Sequence, residues 1–227
     1  VMRKANFYKH TLEFKRPSGT SRGVLKTKDS WFFILKEGDA IGIGECGLLK
    51  GLSIDDRPDY EEKLSWLCHN IHLGKTELYK QLTEFPSIQF GVEMAFKSLY
   101  AESPYELFPS QFTMGKDKIP INGLVWMGEK DFMKKQIEDK ISQGFSCIKL
   151  KIGAIDFQAE LDLLKFIRTE FNSEDIEIRV DANGAFNPKN ALKKLKRLSD
   201  FNLHSIEQPI KQGQPHEMAR LCEDTPL

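Results

Sequence analysis

Three stretches of sequence decide the fold: FSCIKLKIG (145–153), IEIRVDANG (176–184) and LHSIEQPI (203–210). Each alternates apolar with polar residues, which is the pattern of a β-strand whose two faces meet different surroundings. A similar strand, IPINGLVW (119–126), comes before them, and residues with helical spacing separate each strand from the next. Strands that alternate with helices in this way are typical of βα units, so the sequence predicts a parallel sheet.

The helices between these strands carry their own start and stop signals. EKDFMKKQIEDKISQG (129–144) is amphipathic and ends at Gly144, a residue type that suits the close of a helix. The next helix is predicted to begin after Asp156, and the one after it has Asn187 as its cap and Pro188 at its first position. These signals place the helix starts independently of the strand pattern.

The two faces of the predicted strands differ in chemistry. One face carries branched apolar side chains, while the other carries charges of both signs, such as Lys149 and Lys151 in the strand 145–153. A doubly wound sheet buries both faces and favours continuous apolar strands. A (β/α) barrel explains the pattern better, because its outer face meets the helices and its active site lies at the carboxyl ends of the strands.

The beginning of the chain has a different organisation, with strands first and helices second. The predicted strands are residues 5–14, 30–38 and 40–46. Helical spacing follows from Asp59 onward. This order suggests a small α+β domain. We therefore divide the chain into an α+β domain, residues 1–104, and a barrel domain, residues 105–227.

Composition excludes several classes of partner. The chain has 33 basic and 33 acidic residues, so it lacks the basic excess expected of a nucleic-acid-binding protein. The lysine-rich KNALKKLKR (189–197) fits the solvated face of a helix better than a binding patch. No apolar run approaches the roughly 20 residues of a membrane span, and the N-terminus lacks the apolar core of a signal peptide. The four cysteines form no CxxC pair and suit a reducing compartment, so we expect a cytoplasmic protein.

Two acidic residues end neighbouring predicted strands. Asp181 and Glu207 point the same way, and carboxylates placed close together repel unless a cation neutralises them. Hard oxygen ligands of this kind suit Mg²⁺. The alternative is that each acid pairs with a nearby lysine or with Arg179. Because the acids lie on successive strands beside a pair of lysines, we favour a Mg²⁺ site.

The lysine pair provides a candidate base. Lys149 and Lys151 are separated by one residue, so their ammonium groups point into the same barrel mouth. Surface strands also carry alternate lysines, but the apolar residues around this pair favour an interior position. Like charge, a nearby metal ion and partial desolvation all disfavour the protonated form of a lysine. A lysine in this setting can act as a general base at neutral pH and remove a carbon-bound proton beside a carboxylate.

Several motifs resemble the muconate-lactonizing-enzyme branch of the enolase superfamily. KLKIG (149–153), RVDANGAF (179–186) and SIEQPI (205–210) are similar to the second, third and fourth barrel strands of that branch. FGVEMAF (90–96) is similar to the helix that closes its capping domain. The resemblance implies an α/β fold, namely a modified TIM (β/α) barrel with an N-terminal α+β capping domain.

The resemblance also implies roles for individual residues. Lys151 is the expected proton-abstracting base, and Lys149 is its electrostatic partner. Asp181 and Glu207 are the expected Mg²⁺ ligands. A third metal-binding acid and a lysine on the opposite side of the substrate normally lie on later strands of such barrels.

Other motifs point to one activity within the superfamily. RPSGTSRG (16–23) resembles the mobile capping-domain loop of o-succinylbenzoate synthases, and GIGECGLL (42–49) resembles a second loop that reaches over the substrate. An ordinary flexible connection is the alternative for the first segment. The resemblance implies that water leaves a small-molecule carboxylate, a succinyl-hydroxycyclohexadiene carboxylate, by syn β-elimination, giving o-succinylbenzoate for menaquinone synthesis. The candidate substrate contacts are Asn183, Arg179, Thr20, Ser21 and Arg22.

Two other interpretations stay open on the sequence. An N-acylamino acid racemase or a dipeptide epimerase of the same branch would use the opposed lysine as a second base. A non-catalytic barrel fragment or assembly subunit is the alternative from a different class, and the charged barrel mouth argues against it. Because such a barrel has about eight strands and four are predicted here, we expect this chain to be part of a longer enzyme. The oligomeric state is left open.

Overall fold

The structure is a computed structural model that describes residues 2–20 and 23–227. The first part of the chain begins with an antiparallel sheet. The strands of this sheet, in the order β1-β2-β3, are β1 (Arg3–Thr20), β2 (Gly23–Glu37) and β3 (Ala40–Gly47). The helices that follow are α1 (Tyr60–His69), α2 (Gly74–Gln81) and α3 (Pro86–Leu99), with a 3₁₀ turn (Ile71–Leu73) before α2. The predicted order, strands and then helices, is confirmed.

The β1–β2 hairpin is longer than the sequence indicates. The segment 16–23 is predicted as a loop, but β1 extends to Thr20 and β2 begins at Gly23. The pairing of the two strands is irregular around Pro17, because proline has no N–H to donate to the ladder. Pairing resumes beyond this point, and the strands therefore continue into the predicted loop.

Helix α3 lies directly on strand β3, because glycines remove the side chains that would separate them. A Cβ atom on Gly44 would lie 1.8 Å from the carbonyl oxygen of Gly91, and one on Gly42 would lie 2.1 Å from that of Ala95. Approach this close requires residues without a side chain. The glycines of the strand motif AIGIGEC and of the helix motif FGVEMAF therefore serve one packing contact.

Contacts divide the chain into a unit that ends at Lys118 and a second unit, Ile119–Leu227. The segment 105–118, which the sequence assigns to the barrel domain, belongs to the first unit in the structure. One of its aromatic rings makes a cation–π contact with α3, because Lys97 Nζ lies 4.8 Å from the centre of the Phe108 ring. The core of the first unit includes the buried side chains of Phe33, Leu35, Leu64, Leu67, Leu78, Leu82, Ile88 and Val92.

The second unit is built from parallel βα units, as predicted. Its strands, in the sheet order β4-β5-β6-β7, are β4 (Gly123–Val125), β5 (Cys147–Lys151), β6 (Glu177–Asp181) and β7 (Ser205–Glu207). Its helices are α4 (Lys130–Ser142), α5 (Phe157–Glu170), α6 (Pro188–Ser199) and α7 (Pro215–Asp224). None of the described helices in either unit has both the length and the apolar character of a membrane span.

The predicted difference between the two strand faces is confirmed. On β5 and just after it, Ile148, Leu150 and Ile152 are buried in the core of the second unit. Lys149 and Lys151 lie on the opposite face and are only partly buried. The apolar face packs against the helices, and the other face is left to carry charge.

The predicted helix caps are also confirmed. The Asp156 side chain accepts hydrogen bonds from the backbone N–H groups of Gln158 and Ala159 at the start of α5. The Asn187 side chain accepts from the N–H of Lys189, with Pro188 as the first residue of α6. Both caps follow directly on loops that leave the carboxyl ends of strands, so they fix where those loops end.

Replacing Asn187 by alanine should lower the free energy of unfolding by about 1 kcal/mol, because an N–H at the start of α6 loses its acceptor. Urea denaturation followed by circular dichroism measures the change. Gln214→Ala is the matched control, since Gln214 precedes α7 without a capping side-chain hydrogen bond. An equal loss of stability in both variants would show that the Asn187 cap contributes nothing specific.

Candidate active site

Charged side chains gather at the carboxyl ends of β5, β6 and β7. Lys151 is the register partner of Asp181, and Asp181 is the register partner of Glu207. Lys149 lies on the same face of β5 as Lys151, because side chains two residues apart share a face. Parallel pairing thus brings these four residues to one place in the second unit.

Asp181 is the buried centre of this cluster. Its side chain is 2% exposed, and its Oδ2 accepts a hydrogen bond from Lys151 Nζ. Lys149 Nζ lies 3.7 Å from the same oxygen, and Oδ1 accepts from the backbone N–H of Asn183 at 2.9 Å. A buried carboxylate is costly unless it is paired and hydrogen-bonded. Both oxygens of Asp181 meet this requirement.

Glu207 is the exposed member of the cluster. Its side chain is 60% exposed, and its Oε2 accepts a hydrogen bond from Lys149 Nζ. Lys149 therefore contacts both carboxylates, whereas Lys151 pairs with Asp181. The structure shows the ion pairing that was one of the two interpretations of these acids on the sequence.

The same geometry fits a divalent cation. Both carboxylates reach one cationic group, Lys149 Nζ, so their oxygens face a space that a single cation could share. In proteins Mg²⁺ is held by one or two carboxylates together with water and substrate, and the exposure of Glu207 leaves room for these. The described residues contain no cluster of three or more His, Cys, Asp or Glu side chains suited to a metal. Asp181 and Glu207 would therefore be two ligands of a site completed by other groups.

Arg179, a candidate substrate contact, is engaged elsewhere. Its Nε donates to Oε1 of Glu177, two residues earlier on β6, at 2.7 Å. The guanidinium group holds the pKa of the Glu177 carboxyl below its usual range. The ion pair of Arg179 therefore lies nearer to the amino end of β6 than Asp181 does, outside the strand-end cluster.

The remaining candidate substrate contacts are placed as follows. Asn183 holds Asp181 through its backbone N–H and lies in the loop directly after β6. Thr20 is the last residue of β1, where its backbone pairs with Gly23. Ser21 and Arg22 lie outside the described residues.

The loops after β6 and β7 are joined to each other beside the cluster. The N–H of Gly184 donates to the carbonyl of Gln208 at 2.7 Å, and the N–H of Phe186 donates to that of Pro209 at 3.0 Å. Asn183 and Gln208 have φ values of 46° and 43°, in the left-handed region. Such conformations concentrate at functional sites, where surrounding contacts hold them. Asparagine tolerates this region, but glutamine gives no such signal, so sequence reasoning missed Gln208.

Both units of the chain match models of known protein families. Residues 132–227 match the family model described as "Enolase C-terminal domain-like", and residues 2–99 match the one described as "MenC, N-terminal domain". The chain is 44% identical over 253 residues to o-succinylbenzoate synthase of Desulfotalea psychrophila, covering 98% of this chain and 69% of that protein. It is 36% identical over 138 residues to a hydrophobic dipeptide epimerase of Enterococcus faecalis, covering 60% of this chain and 38% of that protein.

Solved structures share the fold. The crystal structure of MenC from Desulfotalea psychrophila is 39% identical, with a TM-score of 0.82 over 99% of this chain and 69% of that chain. An o-succinylbenzoate synthase from Thermosynechococcus elongatus, solved with Mg in its active site, is 19% identical, with a TM-score of 0.76 over 98% of this chain and 66% of that chain. At that identity the second likeness concerns the fold alone.

The fold and the matching family models define an α/β protein of the enolase superfamily, with an N-terminal α+β capping domain and the first four βα units of a modified TIM barrel. Within it, the chain belongs to the family of the o-succinylbenzoate synthases, which are lyases.

Proposed function

We propose that this chain supplies the base and the metal-binding carboxylates of an o-succinylbenzoate synthase. The reaction would remove water from a succinyl-hydroxycyclohexadiene carboxylate in menaquinone synthesis. The observation that carries the proposal is the convergence of Lys149, Lys151, Asp181 and Glu207 at the carboxyl ends of adjacent strands. The 44% identity to o-succinylbenzoate synthase over 98% of the chain supports it.

In the proposed reaction Lys151 acts as general base and then as general acid. Its neutral amine takes the proton from the carbon next to the substrate carboxylate, and the electron pair of that C–H bond moves toward the carboxylate. The electron pair then returns to form a C=C bond as the C–O bond breaks, and the ammonium group gives its proton to the hydroxyl, which leaves as water on the same face of the ring. Lys151 is thereby regenerated as the neutral amine. Lys149 adds positive charge beside the reacting carboxylate. Mg²⁺, when held by Asp181 and Glu207, would supply further positive charge to the substrate carboxylate.

The proposal extends to the setting of the reaction. The substrate class is a small-molecule carboxylate, and neither nucleic acid nor a membrane is a partner. We place the protein in the cytoplasm, since its four cysteines are all free thiols, as suits a reducing compartment.

The assignment is tested by offering the full-length protein two kinds of substrate in the presence of Mg²⁺. We expect o-succinylbenzoate formation, followed by absorbance, from the cyclohexadiene substrate. Dipeptides in ²H₂O should show little α-proton exchange by NMR. Exchange into dipeptides without dehydration would make the protein an epimerase, and the absence of both reactions together with absent Mg²⁺ binding would make it non-catalytic.

Asp181→Asn and Glu207→Gln should each weaken Mg²⁺ binding, because each removes a charged oxygen ligand from a hard-cation site. We expect a loss of at least about tenfold in affinity, the effect typical of removing even an outer-shell partner of a metal. Isothermal titration calorimetry with Mg²⁺ alone measures it. Glu177→Gln, on β6 but paired with Arg179, is the matched control and should bind Mg²⁺ normally. Unchanged affinity in both site variants would mean that these acids serve only the lysines.

A further inference from the structure

A second buried carboxylate lies in the second unit, close to the cluster along the chain. Glu160, in the first turns of α5, is only 2% exposed although it carries an ionisable group. Among the described residues it forms no ion pair of its own. Burial raises the pKa of the Glu160 carboxyl, and the nearby Lys194 opposes this shift. Burying such a group without a paired charge is costly unless it is well hydrogen-bonded.

The partners of Glu160 are backbone groups of a single loop. The N–H of Gly153 donates a hydrogen bond to Oε1 of Glu160, and the backbone of Gly153, Ile155 and Ala154 lowers the pKa of its carboxyl against the effect of burial. The carboxylate therefore anchors the start of the loop between β5 and the Asp156 cap of α5.

That loop begins immediately after Lys151 and is held on its other side as well. The N–H of Ile152 donates to the carbonyl of Asp181 at 2.8 Å. Gly153 has a φ of 95°, and a Cβ atom there would lie 2.3 Å from the Cβ of Ala185, in the loop after β6. The loop after Lys151 thus contacts Asp181 and the loop that follows it on one side, and the carboxylate of Glu160 on the other.

We propose that Glu160 is a positioning residue for Lys151. By accepting a hydrogen bond from the N–H of Gly153, two residues after Lys151, it fixes the backbone that carries the lysine and so fixes the position of the ammonium group relative to Asp181. This inference rests on the proposed function, in which Lys151 is the base. A base displaced by about 1 Å can cost on the order of 10²-fold in rate.

Glu160→Gln tests the proposal with little change in shape. The amide removes the negative charge and one of the two acceptor oxygens, so the hydrogen bond from the Gly153 N–H is no longer charge-assisted and becomes weaker. We expect kcat for o-succinylbenzoate formation to fall by on the order of 10²-fold while KM stays nearly unchanged, since substrate contacts are kept. The melting temperature should change little, because removing a buried charge offsets the weakened hydrogen bond. Glu170→Gln, at the exposed end of the same helix, is the matched control.

Two measurements that need no turnover accompany the kinetics. Amide hydrogen exchange of residues 152–156 should become faster in Glu160→Gln, and acylation of Lys151, followed by mass spectrometry, should change in rate. Glu160→Asp is the second variant, to be used if the glutamine variant fails to fold. Its side chain keeps the charge but is one methylene shorter, so the carboxylate lies farther from the loop. We expect the same effects. Wild-type kcat and an unchanged Lys151 labelling rate would overturn the proposal. If the wild type makes no o-succinylbenzoate yet both measurements change, the proposed function fails and the positioning role stands.

Discussion

Lys151→Ala is expected to lower turnover by roughly 10²–10⁴-fold, the usual cost of removing a general base. The variant should still fold, because Asp181 keeps a hydrogen bond from the N–H of Asn183 at 2.9 Å and an ammonium group, Lys149 Nζ, at 3.7 Å. The buried carboxylate is therefore not left without partners. Steady-state kinetics of o-succinylbenzoate formation, together with the melting temperature and calorimetric Mg²⁺ binding, separates lost chemistry from lost structure.

Lys165→Ala provides the control for this experiment. Lys165 is an exposed lysine on α5 and lies outside the strand-end cluster, so its removal should leave turnover unchanged. Near-normal turnover of Lys151→Ala would remove this residue from its role as base. Loss of Mg²⁺ binding in the same variant would mean that Lys151 supports the site rather than the proton transfer.

Gly44→Ala should lower the free energy of unfolding by about 3 kcal/mol or more, at the upper end of what overpacking usually costs. The added methyl group would lie 1.8 Å from the carbonyl oxygen of Gly91 and 3.0 Å from the backbone nitrogen of Ala95. Both atoms belong to the backbone of α3, so no side chain can rotate away to make room. Either α3 must move off β3 or the strand must bend, and both open the core of the first unit.

Gly47→Ala, in the same strand, is the matched control. A methyl group there would meet only the ends of flexible side chains, Lys28 Nζ at 3.2 Å and Glu45 Oε1 at 3.3 Å. We expect a change within about 0.5 kcal/mol, as for most surface substitutions. Urea denaturation of the two variants gives the comparison, and equal stability would show that the contact between α3 and β3 adapts without cost.

The elements of the second unit could be predicted from the sequence because their signals are local. Alternation on β5 separates Ile148 and Leu150 from Lys149 and Lys151, and this alternation depends only on the strand period. The Asp156 cap acts on N–H groups two and three residues away, so its effect is also local. Once the strands are parallel and in register, the residues that end them must meet, which is why the charged cluster could be anticipated.

The partner of Arg179 is less accessible from the sequence. Arg179 shares a strand face with Asp181, yet it pairs with Glu177, because the partner of a long flexible side chain depends on which charges lie within its reach. The sequence predicts a loop at residues 16–23, on the basis of Pro17 and the neighbouring glycines. Those residues predict a turn locally, but the pairing of the two strands extends past them.

The sequence by itself determined the order of strands and helices, the two helix caps, the charged face of the barrel strands and the family. Only the tertiary structure decided which backbones touch and which polar groups share a partner. Residue 44 must be a glycine because the carbonyl of Gly91, far along the chain, occupies the space that a side chain would need. Glu160 can be buried because Gly153, in the loop after β5, donates its N–H to the carboxylate. The physical reason is the same in both cases: local patterns report on periodicity and capping, whereas close approach and buried hydrogen bonding depend on groups that folding alone brings together.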